Sequence, residues 1–123
     1  MDAIAWEQME LEELNNKISR QMTSGASSTI ARVLLARGAY VPRHSHVNEQ
    51  VTMILEGCLR FHFDDGTEIS VRPGQVLVIP ANVPHAAVAI EDTIDIDFFT
   101  PRREDWIRKE DSYLRTGEEP PQR

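Results

Sequence analysis

The 123-residue chain is short of three things, and each absence removes a class of explanation. It has one cysteine, Cys58, so no internal disulfide can form, and the place of that residue beside Gly57 at a strand start is that of a small buried structural thiol. No stretch approaches the ~20 apolar residues of a membrane span. The first residues, MDAIAWEQMELEEL, are acidic and carry neither a basic nor an apolar leader region, so the expected location is the cytoplasm. Basic residues are outnumbered 13 to 20, the net charge is −7, and no Lys/Arg-rich run occurs. Nucleic acid and anionic membranes are therefore not expected partners. No internal repeat and no helix-turn-helix segment is present, and the length suits one domain with one core.

What the chain does have is a succession of short β-prone runs. Residues 7 to 15, rich in Glu and Leu, predict one or two helical turns. From Lys17 onward strands are predicted near 17–22 and 28–37, where Ala31, Val33 and Leu35 alternate with Ile30, Arg32 and Leu34. A strand carrying His44 and His46 comes next, then one over Val51 to Leu55. Leu59, Phe61 and Phe63 alternate in a further strand that leads through the Asp65-Gly66 hairpin signal into Glu68 to Arg72. Val76 to Pro80, residues 85–90 and residues 93–99 complete the set. Many short strands with turns every 8–12 residues predict an all-β sandwich or barrel, with a jelly roll the member of this strand count. Thr100-Pro101 reads as an N-cap and first-turn proline, predicting a short helix through Trp106 to Lys109. The polar, proline-containing end, TGEEPPQR, is expected to be mobile. Trp106 is expected to anchor the core or an interface.

Three histidines stand out. His44 and His46 lie one residue apart, so on a strand their side chains share a face and both imidazoles can reach one ion. His85 follows in an IPANVPH run. Three neutral imidazoles and one oxygen donor form a site for a divalent transition metal with positions left for water or substrate. His62 has the opposite parity to Leu59, Phe61 and Phe63 and is expected at the surface. Glycine and proline punctuate both histidine runs: Gly38 stands six residues before His44, Gly57 seven after Gln50, Gly74 six before Pro80, and Pro80 five before His85.

Over roughly residues 29–106 these runs resemble the two motifs of the cupin superfamily, in its small single-domain form. The resemblance implies a jelly-roll (double-stranded β-helix) barrel core over 29–106. It would be preceded by an N-terminal arm and first strand (1–28) and followed by the helix end and tail (107–123). It also implies a metal bound by His44, His46, His85 and a fourth ligand, usually glutamate, whose position falls on Gln50. Strand parity favours Gln50 over Glu49, although a bulge after His46 would exchange them. A glutamine carbonyl leaves the full charge on the ion and makes the site more Lewis acidic. Asn82 stands where the family has glycine, and asparagine tolerates positive φ there; Ala89 stands where asparagine is usual. The metal itself, Zn, Ni, Mn or Fe, is left open because all accept imidazole.

Residues 93–99, TIDIDFF, place Ile94, Ile96 and Phe98 on one face and Asp95, Asp97 and Phe99 on the other, which suits a barrel with a wet, charged interior. The following DFFTPRREDW, together with HSHVNEQ, resembles the pectin-degradation cupins, which convert unsaturated monouronates to linear keto forms. That resemblance implies a metal-dependent isomerase- or lyase-like enzyme acting on a sugar acid, working as a homodimer. Asp97 would be the catalytic proton carrier, Arg103 the carboxylate clamp and Phe99 a sugar-packing residue. A surface ion pair of Arg103 with Glu104 or Asp105 is the plainer alternative. Cupins host many functions, so a metal-dependent dioxygenase and a non-catalytic sugar- or small-acid-binding module stay open.

Overall fold

A computed structural model describes residues 1–121. Ten strands form two antiparallel sheets: β1 (Glu12–Glu13), β2 (Ile18–Ser24), β3 (Thr29–Leu35), β4 (Tyr40–His44), β5 (Glu49–Glu56), β6 (Leu59–Phe63), β7 (Glu68–Val71), β8 (Val76–Ile79), β9 (His85–Ala89) and β10 (Thr93–Thr100). The larger sheet has the order β1-β2-β3-β10-β5-β8 and the smaller β4-β9-β6-β7. The fold is the expected all-β jelly roll.

Period-2 alternation decides which side chains enter the barrel. Ala31, Val33 and Leu35 are buried while their neighbours on β3 are half-exposed. The β6–β7 hairpin turns at Asp65-Gly66, where Gly66 takes φ +87° and the Asp65 carboxylate accepts from the Thr67 amide. On β10, Asp95, Asp97 and Phe99 point inward and Phe98 outward at 43 % exposure. Val76, Val78 and Leu55 of β8 and β5 are also exposed. Cys58 and Trp106 are buried, and His62 is half-exposed beside Glu68. Leu14, Ile18, Trp106 and Leu114 belong to the same hydrophobic core as the barrel strands.

Several local expectations fail. Residues 7 to 15 are not helical beyond a 3₁₀ turn at Trp6–Gln8, and β1 follows. The Glu12 carboxylate there is taken by Arg20 and Lys109 from elsewhere in the fold, a tertiary demand that overrides weak helical propensity. His46 is not on a strand: β4 ends at His44, and residues 45–48 turn the chain into β5. Buried Asn48 holds that turn, its side-chain amide donating to the carbonyls of Pro101 and Arg102. Thr100 is not an N-cap but the last residue of β10, paired with Glu49, and the Thr100–Pro101 bond is cis. The helix α1 covers only Glu104–Ile107 with Arg103 at its N-terminal boundary, and Lys109, at φ +57°, lies beyond it.

Past α1 the chain stays packed. Asp111 and Leu114 are buried, and a 3₁₀ turn at Ser112–Leu114 lies against β4. Of the end expected to be mobile, residues 116–121 are exposed apart from half-buried Pro120. Gln122 and Arg123 lie outside the described residues. No helix among the described residues is long and apolar enough to cross a membrane.

Candidate metal centre

The two sheets bring the three histidines to one point. His44 at the end of β4 pairs directly with His85 at the start of β9, and the turn after β4 carries His46 to their side. One ligand nitrogen of each lies within 4.8 Å of the others. Gln50, buried on β5, sets its Oε1 3.1 Å from His46 Nε2. Glu49 has the opposite parity and is exposed.

The hydrogen bonds decide the imidazole tautomers. Each Nδ1 faces a carbonyl two residues away in sequence: His44 to Pro42 at 2.7 Å, His46 to Asn48 at 3.0 Å and His85 to Val83 at 2.8 Å. A carbonyl oxygen can only accept, so each Nδ1 carries the proton and each Nε2 presents a lone pair. His46 Nε2 and Gln50 Oε1 then oppose two lone pairs at 3.1 Å, an arrangement that a cation beside them makes favourable. Burial, followed by the charge of His85, brings the His44 pKa down to about 3. Burial and the Arg103 charge bring His46 down to about 4, and burial also lowers His85. At neutral pH all three are neutral bases. These donors fit a divalent transition metal, with His44, His46, His85 and Gln50 the residues that would hold it.

Around this cluster lies a cavity of about 50 Å³ whose lining includes His44, Gln50, His85, Asp97, Phe99 and Arg103. Asp97 faces Thr52 across the β5–β10 ladder and accepts its hydroxyl at 2.7 Å. Asp95, one inward position along, is wholly buried. Burial and the neighbouring Asp97 charge push its carboxyl well above the ordinary range. Burial raises Asp97 too, but hydrogen bonds from Asp95 and Thr52 and the charge of Arg103 oppose the rise. The two carboxyls are thus a coupled pair in which burial favours the protonated form of each, and Asp97 is the one that accepts the Thr52 hydroxyl.

Arg103 is 1 % exposed. The expected partner is there, but the pair is not a surface one on its side: Nε and Nη2 form a fork with Asp105 at 2.9 and 2.8 Å. The guanidinium stacks over Phe99 at 4.6 Å and Trp106 at 4.2 Å, and Phe99 meets His46 edge-on at 5.7 Å. Three site neighbours were not singled out from sequence. Thr52 shares the parity of Gln50, a signal that was available. Asp95 could be assigned to the inner face but not to a coupled pair. Tyr113 stacks on His44 at 4.3 Å, and its hydroxyl accepts from Arg103 Nη2 and Trp106 Nε1. No sequence pattern pointed to it.

Residues 31–100 match the family model described as the cupin domain. Among solved structures, an RmlC-like cupin from Shewanella frigidimarina is 31 % identical, with 81 % of this chain and 90 % of that one covered and a TM-score of 0.75. KdgF from Halomonas sp. is 27 % identical over 81 % of this chain and 94 % of its own, with a TM-score of 0.74. The polyketide cyclase RemF from Streptomyces resistomycificus, at 19 % identity and a TM-score of 0.71, shares the fold. No curated protein matches the chain. With the family model covering more than half its length, this chain belongs to the cupin family.

Proposed function

We propose that this cupin is a metal-dependent enzyme of sugar-acid chemistry, opening the ring of unsaturated uronates and tautomerising the product to the linear keto form. The observation that carries the reading is one cavity lined jointly by His44, His85 and Gln50 of the cluster and by Asp97, Phe99 and Arg103. The likeness to KdgF, a pectin-degradation cupin, supports it, and a homodimer is proposed because small cupins commonly pair.

A divalent ion held by His44, His46, His85 and Gln50 would supply Lewis acidity toward a substrate oxygen. The other roles belong to this chain's own side chains. Arg103 has its Nε/Nη2 edge committed to Asp105, so a substrate carboxylate is received on the Nη1/Nη2 edge, in competition with the Tyr113 hydroxyl. Asp97 accepts the proton of the anomeric hydroxyl as the ring C–O bond breaks, and returns it to carbon when the enol becomes a ketone. The reaction is an isomerisation and needs no oxidant. Phe99 packs against the sugar while supporting Arg103.

A cavity of about 50 Å³ is small beside the roughly 300–1,000 Å³ of ordinary small-molecule sites. Binding of a monouronate therefore requires this cavity to open. Elemental analysis of protein purified without added metal, in parallel with His46→Ala, tests the centre: about one transition metal per chain is expected, lost in the variant. Turnover is followed through loss of the substrate's ultraviolet absorbance. Turnover left intact by Asp97→Ala sinks the catalytic assignment. Oxygen consumption would move the protein to the dioxygenases, and a ligand bound without turnover would make it a binding module. Sedimentation at micromolar concentration tests the dimer.

A further inference from the structure

Gln50 presents a problem of recognition. The two ends of a carboxamide are nearly the same size, yet only Oε1 can ligate a cation, and an Nε2 turned inward would aim N–H groups at it. We propose that Thr52 is a positioning residue of the metal centre, whose hydroxyl, anchored on Asp97, fixes the Gln50 amide so that Oε1 faces the imidazoles. The inference rests on the metal-centre reading above and adds a residue to it.

The geometry allows one direction of hydrogen bonding. Gln50 Nε2 lies 2.8 Å from Thr52 Oγ1, and Thr52 Oγ1 lies 2.7 Å from Asp97 Oδ1. All three residues are buried, Thr52 at 0 % exposure. An amide NH₂ only donates and the Asp97 oxygen accepts, so the single hydroxyl proton goes to Asp97 and a hydroxyl lone pair receives Nε2–H. If the amide were flipped, Oε1 would confront an oxygen whose proton is already committed. Strand geometry makes the arrangement possible: Gln50 and Thr52 are two residues apart on one face of β5, and Thr52 stands opposite Asp97 on β10.

The chain has an electronic consequence as well. Donation from the amide nitrogen toward a carboxylate-backed hydroxyl shifts electron density onto Oε1, as cooperative hydrogen-bond chains do. The neutral ligand would be strengthened while the Asp97 carboxyl stays two hydrogen bonds from the amide.

The test is Co(II) binding to the full-length protein, measured by competition with a chromophoric chelator, with the visible Co(II) absorption as a signature of the donor set. Thr52→Val keeps the shape and removes the hydroxyl. It should weaken binding by about tenfold, within the range of supporting-residue effects on metal affinity, and alter the spectrum. Thr52→Ser should restore both. In a Gln50→Glu background both oxygens of the ligand are equivalent, so Thr52→Val should there change the affinity by less than about threefold. If Thr52→Val does not fold, Thr52→Cys, a poor hydrogen-bond partner, takes its place with the same expectations. Wild-type affinity and spectrum in Thr52→Val would overturn the proposal, as would an equal loss in the Gln50→Glu background, which marks a purely structural role. Wild-type protein that takes up no Co(II) would overturn the metal centre itself, and the role of Thr52 with it.

Discussion

Acid should weaken the metal-free protein through His44, and the size of the effect follows from the site. In an unfolded chain this imidazole titrates near 6.5; in the fold, burial and then the neighbouring His85 hold it down to about 3. A base with a depressed native pKa is protonated first in the unfolded state, so stability is untouched above pH 7 and falls as pH drops from 6.5 toward 3. Between pH 7.5 and 5 the loss is about 2 kcal/mol, at 1.36 kcal/mol for each pH unit below 6.5. Asp95 and Asp97 act in the opposite sense: their raised native pKa values stabilise the fold at low pH, and that contribution is lost as pH rises. The comparison of wild type with His44→Gln removes them, because both proteins keep the pair. Urea unfolding of chelator-treated protein is the assay. Whatever the gap at pH 7.5, it should move by about 2 kcal/mol in favour of His44→Gln at pH 5, roughly 1 M urea at an ordinary m-value. A gap constant to within about 0.5 kcal/mol would show that His44 is not held neutral by burial, and the argument for three free Nε2 lone pairs would lose its electrostatic half.

Other perturbations test the framework around the cluster. Asp111→Asn removes the carboxylate charge 2.7 Å from the fully buried Arg20 guanidinium, leaving it Glu12, and should cost about 1.5–3 kcal/mol in urea unfolding, with faster amide exchange through residues 108–115. Arg103→Lys keeps the charge but loses the fork to Asp105 and the stacking on Phe99 and Trp106; a loss of about 1–3 kcal/mol is expected, with at least a tenfold rise in KM for an unsaturated uronate. Gly57→Ala and Gly66→Ala form an informative pair, since both glycines have φ near +88° but only at Gly57 would a Cβ meet backbone, 2.3 Å from the Asp92 carbonyl oxygen. Thermal melts should show about 1 kcal/mol for Gly66→Ala and about 3 kcal/mol or more for Gly57→Ala.

Much of this site was legible because β structure is locally periodic. Alternation placed Gln50 rather than Glu49 inward and set Asp95, Asp97 and Phe99 on one face of β10 with Phe98 on the other; that the acidic face is the inner one followed only from a barrel that holds a metal. Thr52 could have been found by the same rule. His46 was right in position but wrong in element, because a turn held by Asn48 from β10's far end does what a continued strand would have done. What the sequence concealed lies in contacts between distant segments. Asp111 meets Arg20 across 91 positions and Asn15 donates to the Leu114 carbonyl across 99. Nothing periodic in residues 108–115 announces that Tyr113 will cover His44 or that Leu114 will join the core. The Glu- and Leu-rich start misled for the same reason, as Glu12 serves a buried arginine instead of a helix.

The charges inside the barrel can be divided by what they face. Burying ions is a poor way to stabilise a small domain, since an apolar replacement is often neutral or better. Arg20 with Glu12 and Asp111 joins the two terminal segments to the barrel, and its remaining Nη2 has no partner among the described residues. Asp95, Asp97 and Arg103 form a second group: Arg103 is balanced by Asp105 two residues on and donates to the Tyr113 hydroxyl, and the two aspartates are coupled buried carboxyls on one face of β10. Arg20 lines the same cavity, but Asp97 is joined through Thr52 to Gln50 and Arg103 through Phe99 to His46, which sets these two beside the imidazoles and the amide oxygen. An interior that accepts two coupled carboxyls, a stacked guanidinium and four inward lone pairs carries its electrostatic cost where chemistry on a charged small molecule would use it.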